Sequence, residues 1–187
     1  MALLKQSKEA VLAVPPAFKD RCVVRCTDHK FGPNSNDAPM ITCNWELCGI
    51  PNATGGVETK MERAGKLYQL AGLRIKPIYF TLTQKAIDSF FAEFWCKANK
   101  EKEFLGIDTE NPDCDFLDSL CMEAIVSGFT QEERKQLTDE EKEALKAEGK
   151  QPIGEPITDG DGEPIVKTVL NVTMWLKKFE GEVPTPF

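Results

Sequence analysis

Between Arg21 and Gly49 the chain reads RCVVRCTDHKFGPNSNDAPMITCNWELCG, two β-forming runs around a dense cluster of turn formers. In the second run Ile41, Cys43, Trp45 and Leu47 alternate with Met40, Thr42, Asn44 and Glu46. Alternation of this period gives a strand one apolar and one polar face, so Trp45 belongs to the core. Arg21–Thr27 and Met40–Cys48 are predicted as two antiparallel strands, with Asp28–Pro39 as a long, polar, mobile loop between them. Arg21 and Arg25 stand four apart and leave the same face of the first strand. A cationic strand face beside a loop that can close over a ligand suits a polyanion; the alternative is the solvated outer face of an ordinary sheet.

Charge is distributed unevenly. Residues 1–102 carry 15 Lys or Arg against 10 Asp or Glu, and residues 103–187 carry 8 against 20. Such a split is what a basic binding surface with an acidic appendage would give. The 187 residues, 41% of them hydrophobic, suffice for one good core. No apolar run approaches the ~18–20 residues of a membrane span. The start, Met1-Ala-Leu-Leu-Lys, has neither the apolar stretch nor the cleavage site of a signal peptide, which leads us to expect a cytoplasmic protein.

Seven cysteines, an odd number, argue against a disulfide framework. Cys22 and Cys26, with Cys43 and Cys48, superficially resemble two zinc-ligand pairs. In a strand, however, Cys22 and Cys26 stand roughly 13 Å apart at ~3.3 Å per residue, whereas two ligands of one zinc lie under ~4 Å apart. Small buried thiols are the expectation, with no metal and no cofactor.

Along the rest of the chain, residues 1–16 read as an N-terminal arm or short helix closed by Pro15-Pro16. Ile50–Arg63 reads as an irregular, basic stretch, and with Lys66 it places Lys60, Arg63 and Lys66 close together on flexible backbone. Lys66–Thr83 is either one bent strand or two short ones, because Ala71-Gly72 and Pro77 interrupt it. Its outward set includes Tyr68, Arg74 and Lys76, with Tyr79 joining them according to the break. Thr83–Asn99 is the clearest helix, with Thr83 placed to cap it and Ile87, Phe90, Phe91, Phe94 and Ala98 forming an apolar stripe. Leu120–Phe129 and Ile165–Leu176 are two further strands. The insertion between them, about residues 130–164, holds a capping box at Thr138 and Glu141 heading a charged helix, then a turn-rich segment read as a hairpin tip rather than a calcium loop. Burying few apolar groups, it is expected to form a protruding arm. Residues 177–187 read as a flexible, extended tail.

The resulting order is strand, loop, strand, basic loop, bent strand, helix, strand, insertion, strand. It is the order of an OB-fold, a five-stranded barrel with a helix between strands 3 and 4, here with a long insertion between strands 4 and 5; the class is mainly β with α. Pro15-Pro16, NDAPMITCNW at 36–45 and LNVTMWL at 170–176 together resemble bacteriophage single-stranded DNA-binding proteins of the OB-fold type. The likeness runs through most of residues 16–187, with the OB domain at 17–176. It implies non-specific binding of single-stranded DNA in phage replication or recombination. Aromatic residues among cations suit that ligand, rings stacking on bases and cations following phosphates. The expected DNA contacts are Arg21, Arg25, Lys30, Lys60, Arg63, Lys66, Arg74 and Lys76 for phosphates, with Tyr68 and Tyr79 for stacking. Pro186-Phe187 after Glu180 and Glu182 resembles the acidic tip of bacterial single-stranded DNA-binding proteins, which implies docking of replication or recombination proteins.

Enzymatic readings find no footing. His29 stands alone in the expected loop, no Ser or Cys lies in a nucleophile motif, and no Walker-type glycine loop occurs. The competing class is a β-barrel protein-interaction or virion-assembly module, which the acidic C-terminal half favours because it would repel DNA.

Overall fold

The computed structural model describes residues 9–185. The chain divides into two compact units, residues 1–128 with 170–187, and residues 129–169.

The first unit is organised by the hairpin of β1 (Lys19–Pro33) and β2 (Pro39–Pro51), paired in register from Val23↔Gly49 to Pro33↔Pro39. The long loop expected over Asp28–Pro39 is therefore a correction: the ladder runs on, and the connection is only residues 34–38. Asn34 closes it, its Oδ1 accepting from the backbone N–H groups of Asn36 (2.8 Å) and Ala38 (3.1 Å). Asp28 and Lys30 are polar because they point outward from a strand.

The basic stretch after β2 is also ordered, as β3 (Val57–Glu58), β4 (Lys60–Arg63) and β5 (Lys66–Gln69). A Cβ at Gly49 would run into the Glu58 carbonyl, so glycine lets β3 close against the end of β2. β4 and β5 form a hairpin through Ala64 (φ 49°) and Gly65 (φ 74°), two central residues with positive φ as a two-residue turn matched to strand twist requires. Lys60, Arg63 and Lys66 thus sit on a hairpin rather than a flexible loop. The described part of the N-terminal arm packs on it: Val11 bridges Tyr68 in parallel, its N–H donating to the Leu67 carbonyl and its carbonyl accepting from Gln69.

β6 (Arg74–Thr81) is separate from β5, so the 66–83 segment holds two strands. A continuous helical stretch follows: α1 (Gln84–Ala86), a π turn (Ile87–Phe91) and α2 (Ala92–Ala98). Thr83 stands at the N-cap in extended conformation, yet its side chain makes no capping bond, contrary to expectation. Phe90, Phe91 and Phe94 all meet Phe80, with centroids at 5.6, 5.5 and 4.6 Å. The extra residue of the π turn lets three rings from one helix surround a single strand residue.

β7 (Cys121–Glu132) pairs antiparallel with β1, and β8 (Val166–Lys178) lies between β7 and β6, joined to β6 in parallel at Ile75↔Leu170. The order β1-β2-β6-β8-β7 returns to β1, a ring of five strands, and the class is mainly β with a few helices. Inside the ring Trp45, 2% exposed, packs against Phe94 and Trp175. Cys22, Cys26 and Cys43 fill the same core. No helix among the described residues is long and apolar enough to cross a membrane.

The second unit is held by local backbone bonds. Glu133 donates to the Ile165 carbonyl and accepts from Ile157, and Arg134 bridges Pro156. In α3 (Asp139–Ala147) the capping box is complete: Thr138 Oγ1 accepts from Glu141 N, and the Glu141 carboxylate accepts from Thr138 N. The helix buries no residue. Asp159 closes the tip at 158–164, its Oδ1 accepting from Asp161 and Glu163 N–H groups at 3.0 Å.

Candidate nucleic-acid interface

Three strands of the ring, β1, β2 and β6, share an outward face whose rows follow from register. Phe31, Ile41 and Phe80 form one inward row. The residues beside them, Lys30, Thr42 and Tyr79, form the adjacent outward row, and Gly32, Met40 and Thr81 the next. Asp28 stands opposite Asn44, which donates to its carboxylate at 3.3 Å. A bulge in β6 between its pairings with Cys43 and Trp45 resets the alternation, so Ile75 and Ile78 both turn inward while Lys76 and Tyr79 turn out. Tyr79 is 53% exposed, an aromatic ring presented to water from the centre of a strand. Lys30 in the same row, and Arg74 and Lys76 farther along β6, are exposed. Of the expected contacts, Lys30 and Tyr79 therefore share one outward row, while Arg74 stands in the Arg25–Glu46 row and Lys76 lies between the two along β6. Met40, Thr42 and Asn44 belong to this face too, and their place was legible in the alternation of the second strand, though they carry no charge to single them out.

The remaining expected contacts are placed elsewhere. Arg25, 7% exposed, donates to the Glu46 carboxylate and, through Nη1, to the Pro184 carbonyl at 2.7 Å. Its guanidinium is consumed within the protein, which corrects its assignment as a phosphate contact. Arg21 is half-exposed, but its guanidinium holds the buried Glu123 carboxylate, with Nε at 2.7 Å; Lys177 approaches the same carboxylate at 3.4 Å. Tyr68 is 6% exposed and part of the core, so it offers no stacking surface. Lys66 lies over its ring at 5.5 Å, and Lys60 and Arg63 accompany it on the β4–β5 hairpin, apart from the Tyr79 row.

The C-terminal segment is also different from the free tail expected. Lys177 and Lys178 end β8, Phe179 N donates to the Cys121 carbonyl, and Pro184 receives Arg25. Glu180 pairs with Lys100, whose ammonium holds that carboxyl below the usual carboxylate range. Residues 178–184 thereby cover the part of the outer sheet that carries Arg25, leaving the Lys30–Thr42–Tyr79 part open. Pro186 and Phe187 lie outside the described residues.

Compared with known proteins, the chain matches no protein-family model, no curated protein and no solved structure.

Among the described residues no group of three His, Cys, Asp or Glu is placed to hold a metal ion. Burial, aided by Asp20, pushes the Cys22 thiol up to about 12, so it stays protonated in the core. His29 meets Asp118 at 2.8 Å and is occupied by that contact.

Proposed function

We propose that the chain is a non-catalytic single-stranded DNA-binding protein of OB type, acting in phage DNA replication or recombination in the host cytoplasm. The observation that carries this reading is the Lys30–Thr42–Tyr79 row, an exposed ring and a cation on one sheet face, with exposed Lys76 and Arg74 farther along β6. What supports the OB assignment is a five-strand ring with one parallel pair, its helix between the third and fourth ring strands, and an open face on the second and third. Oligonucleotides lie on that face in OB barrels. Bases stack on Tyr79 without regard to sequence, while Lys30, Arg74 and Lys76 displace counterions from phosphates. Docking of replication proteins through Glu182–Phe187 remains part of the proposal; Glu180 is already engaged by Lys100.

Titration of fluorescent oligo-dT, with an RNA arm, at about 50 and 200 mM salt tests the reading. Expected are affinity falling steeply with salt and a loss on Tyr79→Ala of about 1–3 kcal/mol. Absence of binding at the lower salt would sink it. The acidic second half favours the protein-interaction alternative, for which a salt-insensitive homo-oligomer blind to DNA, seen by light scattering, is the signature.

A further inference from the structure

On the outer face, one row along from Lys30, Thr42 and Tyr79, β1 and β2 set Asp28 directly opposite Asn44. Both residues are exposed. The irregularity beside them fixes their positions: the register shifts between Cys26 and Asp28, and the Thr27 hydroxyl donates to the Asn44 carbonyl at 3.2 Å. From the core side the Cys26 thiol donates to the Asp28 carbonyl at 3.6 Å. Across the pair, Asn44 Nδ2 donates to Asp28 Oδ2 at 3.3 Å. Among the described residues, Asp28 Oδ1 and Asn44 Oδ1 accept no hydrogen bond from the protein.

A cation opposite would stabilise an exposed strand carboxylate. Here the partner is a neutral amide, on the face where Lys30 and Tyr79 share the next row. A carboxylate so placed repels phosphates and weakens binding unless the ligand brings hydrogen-bond donors of its own. Phosphates bring none, whereas the edges of bases do. In the β2–β6 pairing Thr42 opposes Tyr79, so Asn44 is the diagonal neighbour of that ring, and such positions lie about 7–8 Å apart. A base stacked on Tyr79 therefore leaves the next nucleotide of the same strand within reach of Asn44 and Asp28.

We propose that Asp28 and Asn44 form a base-reading pair, which gives this face a preference for bases carrying an exocyclic amino group. The inference rests on the nucleic-acid reading of the Tyr79 face and names what that face selects. An amino group offers two N–H donors to the acceptors Asp28 Oδ1 and Asn44 Oδ1, in the way carboxylates accept from the N4 amino group of cytosine. Thymine offers one N–H between two carbonyl oxygens, which the carboxylate repels. Stacking on Tyr79 stays indifferent to sequence, and the neighbouring nucleotide adds the preference.

The test titrates the full chain at neutral pH with fluorescent oligo-dC and oligo-dT of equal length, two pyrimidine strands that differ at that edge. Expected is tighter binding of oligo-dC by about fivefold or more, the lower end of what one such contact discriminates. Asp28→Asn should bring the ratio of the two affinities near one, and Asn44→Ala should lower it by at least about twofold, which keeps the test open if the first variant fails to fold. Removing the Asp28 charge also eases phosphate binding, but that effect tightens both oligonucleotides alike, so the ratio isolates the reading of the base. A wild-type ratio near one, or a preference unchanged in either folded variant, would overturn the pair and leave the face standing. Failure of the wild-type chain to bind either oligonucleotide would overturn the face and the pair with it.

Discussion

Replacing Arg25 by Ala separates the two roles that a strand arginine can have. Arg25 is nearly buried, its pair with Glu46 is shielded on both sides, and Nη1 is the donor to Pro184. Removing it leaves a carboxylate in a site shaped for a cation and a carbonyl with no donor. Breaking a buried pair from one side costs about 3–5 kcal/mol. At a urea m-value of about 2 kcal/mol/M, the unfolding midpoint should fall by about 2 M. Arg25→Met with Glu46→Leu should recover most of that loss, because an apolar pair leaves no orphaned charge. Under conditions where Arg25→Ala is still folded, its affinity for oligo-dT should stay within about twofold of wild type, since a guanidinium already neutralised by Glu46 releases few counterions. An unchanged urea midpoint together with a drop in affinity of about tenfold would refute this reasoning and return Arg25 to the phosphate path.

Other outcomes follow from the same contacts. Tyr68→Ala should lower stability by about 3–5 kcal/mol, as loss of a buried ring does, and spare binding at low temperature; Tyr79→Ala should do the reverse, which denaturation and titration in parallel will read. Deleting Val183–Phe187 removes the Pro184 acceptor and should cost about 1.5–3 kcal/mol by urea denaturation, the value of a hydrogen bond to a charged group. Cys22 has a folded pKa of about 12 against an ordinary 9.0, so its stabilisation is complete below 9 and is lost as pH rises toward 12. Its share of the stability slope above pH 9 is about −1.4 kcal/mol per unit, and Cys22→Ala should flatten the measured slope by that amount. Replacing Phe129–Pro164 by a short Gly-Ser turn should leave the ring folded by circular dichroism, since α3 buries no residue.

What was legible in the sequence was mostly what period and composition encode. Alternation over 40–47 placed Trp45 in the core and Thr42 on the outer face, and the Phe stripe of 87–98 located the helix against the sheet. Polar Asp28 and Lys30 beside Gly32-Pro33 look like loop residues, yet a strand solvated on one face has the same composition. Charge patterning identified Arg21 and Arg25 but not their fates, because Glu123 lies 102 residues from Arg21 and Glu46 lies 21 from Arg25. The hairpin register sets Glu46 directly opposite Arg25, and pairing of β7 with β1 brings Glu123 in. Tyr68 was placed outward with Arg74 and Lys76, whether 66–83 formed one bent strand or two; it is buried instead, with the N-terminal segment bridged to it at Val11.

Amide chemical-shift mapping of the isotopically labelled chain, titrated with oligo-dT at low salt, tests the central claim most directly. The account expects the largest shifts at residues 28–33, 39–44 and 74–81, with Tyr79→Ala weakening the response throughout and residues 19–25 little changed. Shifts centred on Arg21, Arg25 and residues 178–184, or none at saturating oligonucleotide, would contradict it.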